Sequence, residues 1–114
     1  MSGGASSPPG TATAGPSGGH PRHDLDPLLL HGVRFSVLAV VVSADKVAFA
    51  HVRDTVEVSD SVLSRQLTAL EEAGYLEVSK VAEGRRARTW LAPTAQGRTA
   101  FAQHRRALER IATA

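Results

Sequence analysis

The sequence contains no cysteine and no asparagine, and only Lys46 and Lys80 among its 13 Lys and Arg residues are lysine. Without cysteine there are no disulfides, no thiolate metal ligands and no cysteine redox chemistry, a composition that fits a reducing cytosol. The excess of Arg over Lys fits a GC-rich bacterial genome. No apolar run approaches the roughly 18 residues a membrane-spanning helix needs. The most apolar stretch, 33–42, is short and carries Arg34 and Ser36. Also missing are a phosphate-binding glycine loop, an HExxH pair and a nucleophile-elbow serine. The adjacent Glu71 and Glu72 read as a charged helix end rather than a catalytic dyad. An enzyme is therefore not expected, and no cofactor is implied. Five histidines are present, but they are scattered along the chain, and no helix carries the several ligands that a tetrahedral metal site needs. His31, flanked by apolar residues, reads as structural, and Trp90 as a packing residue.

What is present divides the chain unevenly. Residues 1–24 are dominated by Gly, Ser, Pro, Ala and Thr, and no aliphatic side chain larger than Ala follows Met1 until Leu25. Such a segment buries too little apolar surface to offset the entropy of ordering it, so a disordered tail is expected. It also lacks the apolar centre of a secretory signal. Residues 25–114 have the length and apolar content of one small domain. Charge is divided too. Residues 25–79 hold four Lys or Arg against eight Asp or Glu, whereas residues 80–114 hold eight against two. A basic second half suits a surface that faces a polyanion, although a solvated charged face would look the same.

The pattern of elements gives that charge a setting. Asp26-Pro27 opens the ordered part, as an N-cap followed by a residue preset for a first turn. A short turn runs through Leu28 to Leu30. After Gly32 a helix carries Phe35, Leu38, Val41 and Val42, with Val33, Val37 and Val40 on its other sides. A helix apolar nearly all round is buried on more than one face, and the second face could meet a partner chain. Val47-Ala48 reads as a short strand and Phe49 to Val56 as a second helix. From Ser59 to Gly74 the signals agree: Ser59 as N-cap, Asp60 at the positive end of the dipole, Leu63, Leu67 and Leu70 as a stripe, and Gly74 as C-terminal cap. Alternation from Leu76, a turn at Glu83-Gly84 and the β-prone Thr89-Trp90 predict a hairpin over about 76–92. Thr94 then caps a last helix, Ala95 to about Ala112, with Phe101, Leu108 and Ile111 along one side. The fold class expected is α+β, mostly helical with a small antiparallel sheet.

Within that order, Ser61, Ser64, Arg65 and Thr68 share one helix face, away from the leucines. Short hydroxyls and a guanidinium can donate to phosphates and base edges without blocking close approach. Lys80, Arg85, Arg86 and Arg88 cluster about the hairpin turn with only Glu83 opposing them, where guanidinium groups can meet phosphates or a narrow minor groove. Each feature alone is compatible with a solvated surface; together they favour DNA.

The run Leu63-Ser64-Arg65-Gln66-Leu67-Thr68-Ala69-Leu70-Glu71-Glu72-Ala73-Gly74-Tyr75-Leu76 resembles the recognition helix and following strand of winged helix-turn-helix regulators of the MarR/ArsR-like group. Gly84-Arg85-Arg86-Ala87-Arg88-Thr89 with Thr94-Ala95-Gln96-Gly97-Arg98 resembles the wing and closing helix of a branch of that group, and 25–34 its entry segment. The resemblance covers about residues 25–108. One departure is Pro93, where the group has Leu. The resemblance implies a cytoplasmic transcription regulator that binds double-stranded DNA, with helix 59–74 in the major groove and the wing on the backbone or minor groove. It also implies a homodimer built from the first and last helices. A small-molecule effector stays open, although no residue pattern supports one. The alternative from another class is a winged-helix module that binds protein and never meets DNA.

Overall fold

The computed structural model describes residues 19–114. Four helices, α1 (Gly32–Ala44), α2 (Phe49–Val56), α3 (Asp60–Glu72) and α4 (Ala95–Thr113), are joined with three strands, β1 (Val47–Ala48), β2 (Leu76–Glu83) and β3 (Arg86–Pro93). The strands form one antiparallel sheet in the order β1-β3-β2, with Val47 opposite Leu91 and Leu76 opposite Pro93. This is a winged helix: a helical bundle with a hairpin extending from one side.

Three of the four helices, α1, α3 and α4, start at a side-chain cap. The Ser59 hydroxyl accepts from the Val62 amide at 3.2 Å, and the Thr94 hydroxyl from the Gly97 amide at 2.9 Å, each satisfying an orphan donor of a first turn. His31, expected to be structural, caps α1 by accepting from the Arg34 amide through Nδ1 at 3.3 Å. At the end of α3, the Tyr75 amide reaches the Leu70 carbonyl and the Gly74 amide the Glu71 carbonyl, both at 2.9 Å. With Gly74 at φ +82° this is a Schellman cap, which turns the chain into β2.

The core gathers at the centre of these elements. Val37, Leu38 and Val41 of α1, Val52 of α2, Leu63, Leu67 and Leu70 of α3, Leu76 of β2 and Leu91 of β3 are all buried. One polar pair ties the bundle across its middle. Arg34 donates from Nε to Oε1 of the buried Gln66 at 2.8 Å and from Nη1 to the Leu28 carbonyl at 3.1 Å.

Order begins earlier than Asp26. Pro21–Asp24 forms a 3-10 turn capped by His20, and Asp24 pairs with Arg110 of α4 at 3.1 Å. The expectation of a disordered tail through residue 24 is corrected at this end. The segment is held by an ion pair, a cap and Pro21 rather than by apolar burial, so hydropathy gave no sign of it. The rest of the expected tail, 1–18, lies outside the described residues.

The wing is rooted by a close approach of backbones. Gly97 of α4 is buried against Tyr75, and a Cβ at that position would collide with the Tyr75 carbonyl. The Thr94 amide donates to that same carbonyl at 3.1 Å, and the Thr94 hydroxyl to the Gly74 carbonyl at 2.6 Å. Gly97→Ala would gain helix propensity of about 1 kcal/mol yet force α4 off Tyr75, at a cost of roughly 1–3 kcal/mol or more. A lower urea midpoint is expected; a raised one would show that α4 can slide freely at this contact.

Candidate nucleic-acid interface

Because Leu63, Leu67 and Leu70 face inward, helical geometry leaves the opposite arc of α3 to solvent. Ser61, Ser64, Arg65 and Thr68 are all exposed. Thr68 returns its hydroxyl proton to the Ser64 carbonyl at 3.0 Å, and Ser61 lies 3.2 Å from the Ser59 hydroxyl. Ser64 and Thr68 line a groove between α3 and the hairpin, with Asp60, Glu71, Phe49 and, from the hairpin, Val78, Lys80 and Thr89. Ser61 and Arg65 do not line it.

The hairpin divides its cations between two faces. Lys80 pairs with Thr89, and Val78 with the buried Leu91, so alternation places Lys80 on the side that faces α3. Arg86 and Arg88 are one residue out of step with Leu91 and stand on the other face, with Trp90, Val81 and Glu83. There Arg88 is ion-paired with Glu83 at 3.3 Å and lies 5.7 Å from the Trp90 ring centroid, while the Lys46 ammonium is 5.3 Å from the same ring. Trp90 is thus a packing residue of the wing's outer face. Arg85 occupies the turn itself, beside Gly84 at φ +63°. Two residues link Glu83 to Arg86 with glycine first, the arrangement of a type II′ turn. The eight basic and hydroxyl residues expected to act together are therefore not one cluster. Ser64, Thr68 and Lys80 share a groove, Ser61 and Arg65 extend it along α3, Arg85 marks the tip, and Arg86 and Arg88 line the opposite face.

Several contributors were not foreseen. Arg53 of α2 donates to Asp54 at 2.9 Å and to Asp60 at 3.0 Å, so the two carboxylates hold its pKa above the ordinary guanidinium value, and the bond from Arg53 lowers that of Asp54. The spacing of seven residues between Arg53 and Asp60, across a turn, gave no helical-face signal. Behind α3, Asp26 joins three elements: its carboxylate accepts from the Leu28 amide at 2.9 Å and from the Tyr75 hydroxyl, and its amide donates to Nδ1 of His104 at 2.9 Å. Burial and the Asp26 carboxylate push the Tyr75 phenol up to about 12. Among the described residues no group of three His, Cys, Asp or Glu is placed to hold a metal ion, and no helix is long and apolar enough to cross a membrane.

The winged helix DNA-binding domain model matches residues 33–112, and the chain belongs to that family. Several of the solved structures it resembles are transcription regulators. A transcriptional regulator homologue from Pyrococcus horikoshii OT3 superposes with a TM-score of 0.71 at 20% identity, covering 75% of this chain and 85% of that one. The PcaV transcriptional regulator from Streptomyces coelicolor gives 0.58 at 25% identity, covering 72% and 57%. A MarR-family regulator from Silicibacter pomeroyi gives 0.58 at 23%, covering 82% and 60%. The fold is the one MarR-family regulators use, and this chain spans under two thirds of the last two. Comparison with curated proteins gives no match.

The bond from the Asp26 amide requires an unprotonated Nδ1 on buried His104, so the ring proton sits on Nε2. Burial lowers the His104 pKa, opposed in part by the Asp26 charge. The unfolded chain then binds a proton more readily than the folded one. The stabilising contribution is complete above the unfolded value of about 6.5 and is lost as pH falls below it. Stability by urea titration should drop between pH 7.5 and 5, and His104→Gln should flatten that drop. An unchanged pH profile in the variant would remove His104 from the effect.

Proposed function

We propose that this protein is a DNA-binding transcription regulator that sets α3 in the major groove and the β2–β3 hairpin on the adjoining backbone or minor groove. The observation that carries the reading is the exposed hydroxyl-and-arginine arc of α3 beside Lys80 across an open groove, in a chain of the winged helix DNA-binding family. A major groove about 12 Å wide admits one helix. Ser61, Ser64, Arg65 and Thr68 are the base-edge and phosphate donors in this reading, and Lys80, Arg85, Arg86 and Arg88 neutralise phosphates. A winged-helix module that binds only protein is the reading the same experiment eliminates. Binding is measured to a selected site and to random duplex across a salt series. Arg85→Ala with Arg86→Ala should weaken both and lower the salt slope by about two. Arg65→Ala should weaken the selected site more than random DNA, by roughly 1–3 kcal/mol. Absence of salt-sensitive binding by the wild type would leave the protein-binding module standing.

The regulator acts in this reading as a cytoplasmic homodimer through α1 and α4. Leu30, just before α1, is 61% exposed and Leu108 of α4 39% exposed, large apolar side chains the single chain leaves uncovered. Light scattering at micromolar concentration should give twice the chain mass, and Leu30→Glu with Leu108→Glu should give the single mass. A wild-type monomer that still binds its site would rule the dimer out.

A further inference from the structure

The groove between α3 and the hairpin is not uniformly cationic. Beside Ser64, Thr68 and Lys80 it is lined by two carboxylates, Asp60 and Glu71. They stand at opposite ends of α3, about 16 Å apart along its axis. Helix-turn-helix proteins read base edges with the N-terminal residues of the second helix, so Asp60, the first residue of α3, occupies the reading end. A bare carboxylate there would be repelled by the phosphates on either side.

Arg53, shared with Asp54, offsets part of that charge. It reaches Oδ1 of Asp60 from the α2 side at 3.0 Å, while the Asp60 side chain stays 69% exposed and that of Arg53 only 34%. Among the described residues, Oδ2 of Asp60 makes no hydrogen bond. The result is an acceptor at the tip of the reading helix, held from behind by a guanidinium that offsets part of its charge, with its second oxygen turned to solvent. Only two groups in the major groove can donate to it, the N4 amino group of cytosine and the N6 amino group of adenine. Adenine sets its N7 lone pair next to its amino group, which repels a carboxylate, whereas cytosine presents its amino group without a neighbouring acceptor on the same ring.

We infer that Asp60 is a specificity-determining residue that accepts from N4 of a cytosine in the bound site, with Arg53 as its positioning residue. The inference rests on the DNA-binding reading above. Site selection from a randomised duplex library, with the full chain as wild type, Asp60→Ala and Asp60→Asn, tests both separately. The wild type should select cytosine at one position per bound chain, preferring it by roughly 10-fold or more. Asp60→Ala should lose that preference and keep the rest of the motif. Asp60→Asn should move it to adenine, whose N6 and N7 match a carboxamide. Both variants should stay folded, since the side chain is exposed, with a small drop in melting temperature where the Arg53 pair is lost, and whichever is folded decides the question. One motif shared by all three proteins, or a uniform change in affinity for every sequence, would overturn the inference while leaving DNA binding intact. A wild type that selects nothing would overturn the DNA reading itself.

Discussion

The burial of three leucines decides what α3 shows to solvent. Leu63, Leu67 and Leu70 fill the centre of the core, and each stabilises the fold by about 1.5–3 kcal/mol through removal from water. No single contact of the exposed arc approaches their sum, so the rotation of α3 about its axis is set from inside. Gln66 sharpens that setting. It is a buried amide among leucines, and its oxygen would cost about 1–3 kcal/mol if left without a donor. Arg34 supplies the donor and is itself braced by the Leu28 carbonyl. The entry segment before α1 is thereby linked to the orientation of α3.

A second set of bonds fixes the hairpin relative to that helix. Asp26, Tyr75 and His104 join the entry turn, the end of α3 and α4, while Gly74, Thr94 and Gly97 bring α4 onto the first residues of the wing. These contacts all lie at the root of the hairpin. Toward the tip, residues 79–88 are exposed, and their pairing is chiefly with one another. Helix and wing root therefore behave as one rigid body, whereas the outer part of the wing is free to follow a groove.

Most of the fold was legible because its signals are local. Ser59, Gly74 and Thr94 announce helix ends by chemistry that acts within a few residues, and the leucine and strand periodicities need no knowledge of the partner surface. The 3-10 turn Pro21–Asp24 was not legible, since an ion pair to Arg110 joins residues 86 apart in the chain. The same holds for His104, whose role depends on an amide 78 residues away. In the candidate site, the hydroxyls and Arg65 follow from helical spacing. The division of the wing's cations does not follow from clustering in sequence, because it depends on which face holds Leu91. Alternation from that residue could have predicted it. Pro93, a departure from the related pattern, is accommodated as the last residue of β3, after which Thr94 makes the joint to α4.

That division bears on how such a wing can meet a duplex. A hairpin laid flat in a groove uses the side chains of one face only, and Lys80 would then act without Arg86 and Arg88. A hairpin that approaches by its tip exposes both faces, and a minor groove about 6 Å wide brings phosphates to either side of it. Arg85 at the turn is then the side chain that enters deepest, with Lys80 and Arg86 flanking it on opposite sides. Arg88 is already engaged by Glu83 and Trp90, so it must give up those contacts to reach a phosphate and gains less by doing so. The unequal freedom of four neighbouring cations thus ranks them, with Arg85 ahead of Arg88, although the sequence presents them as a single basic run.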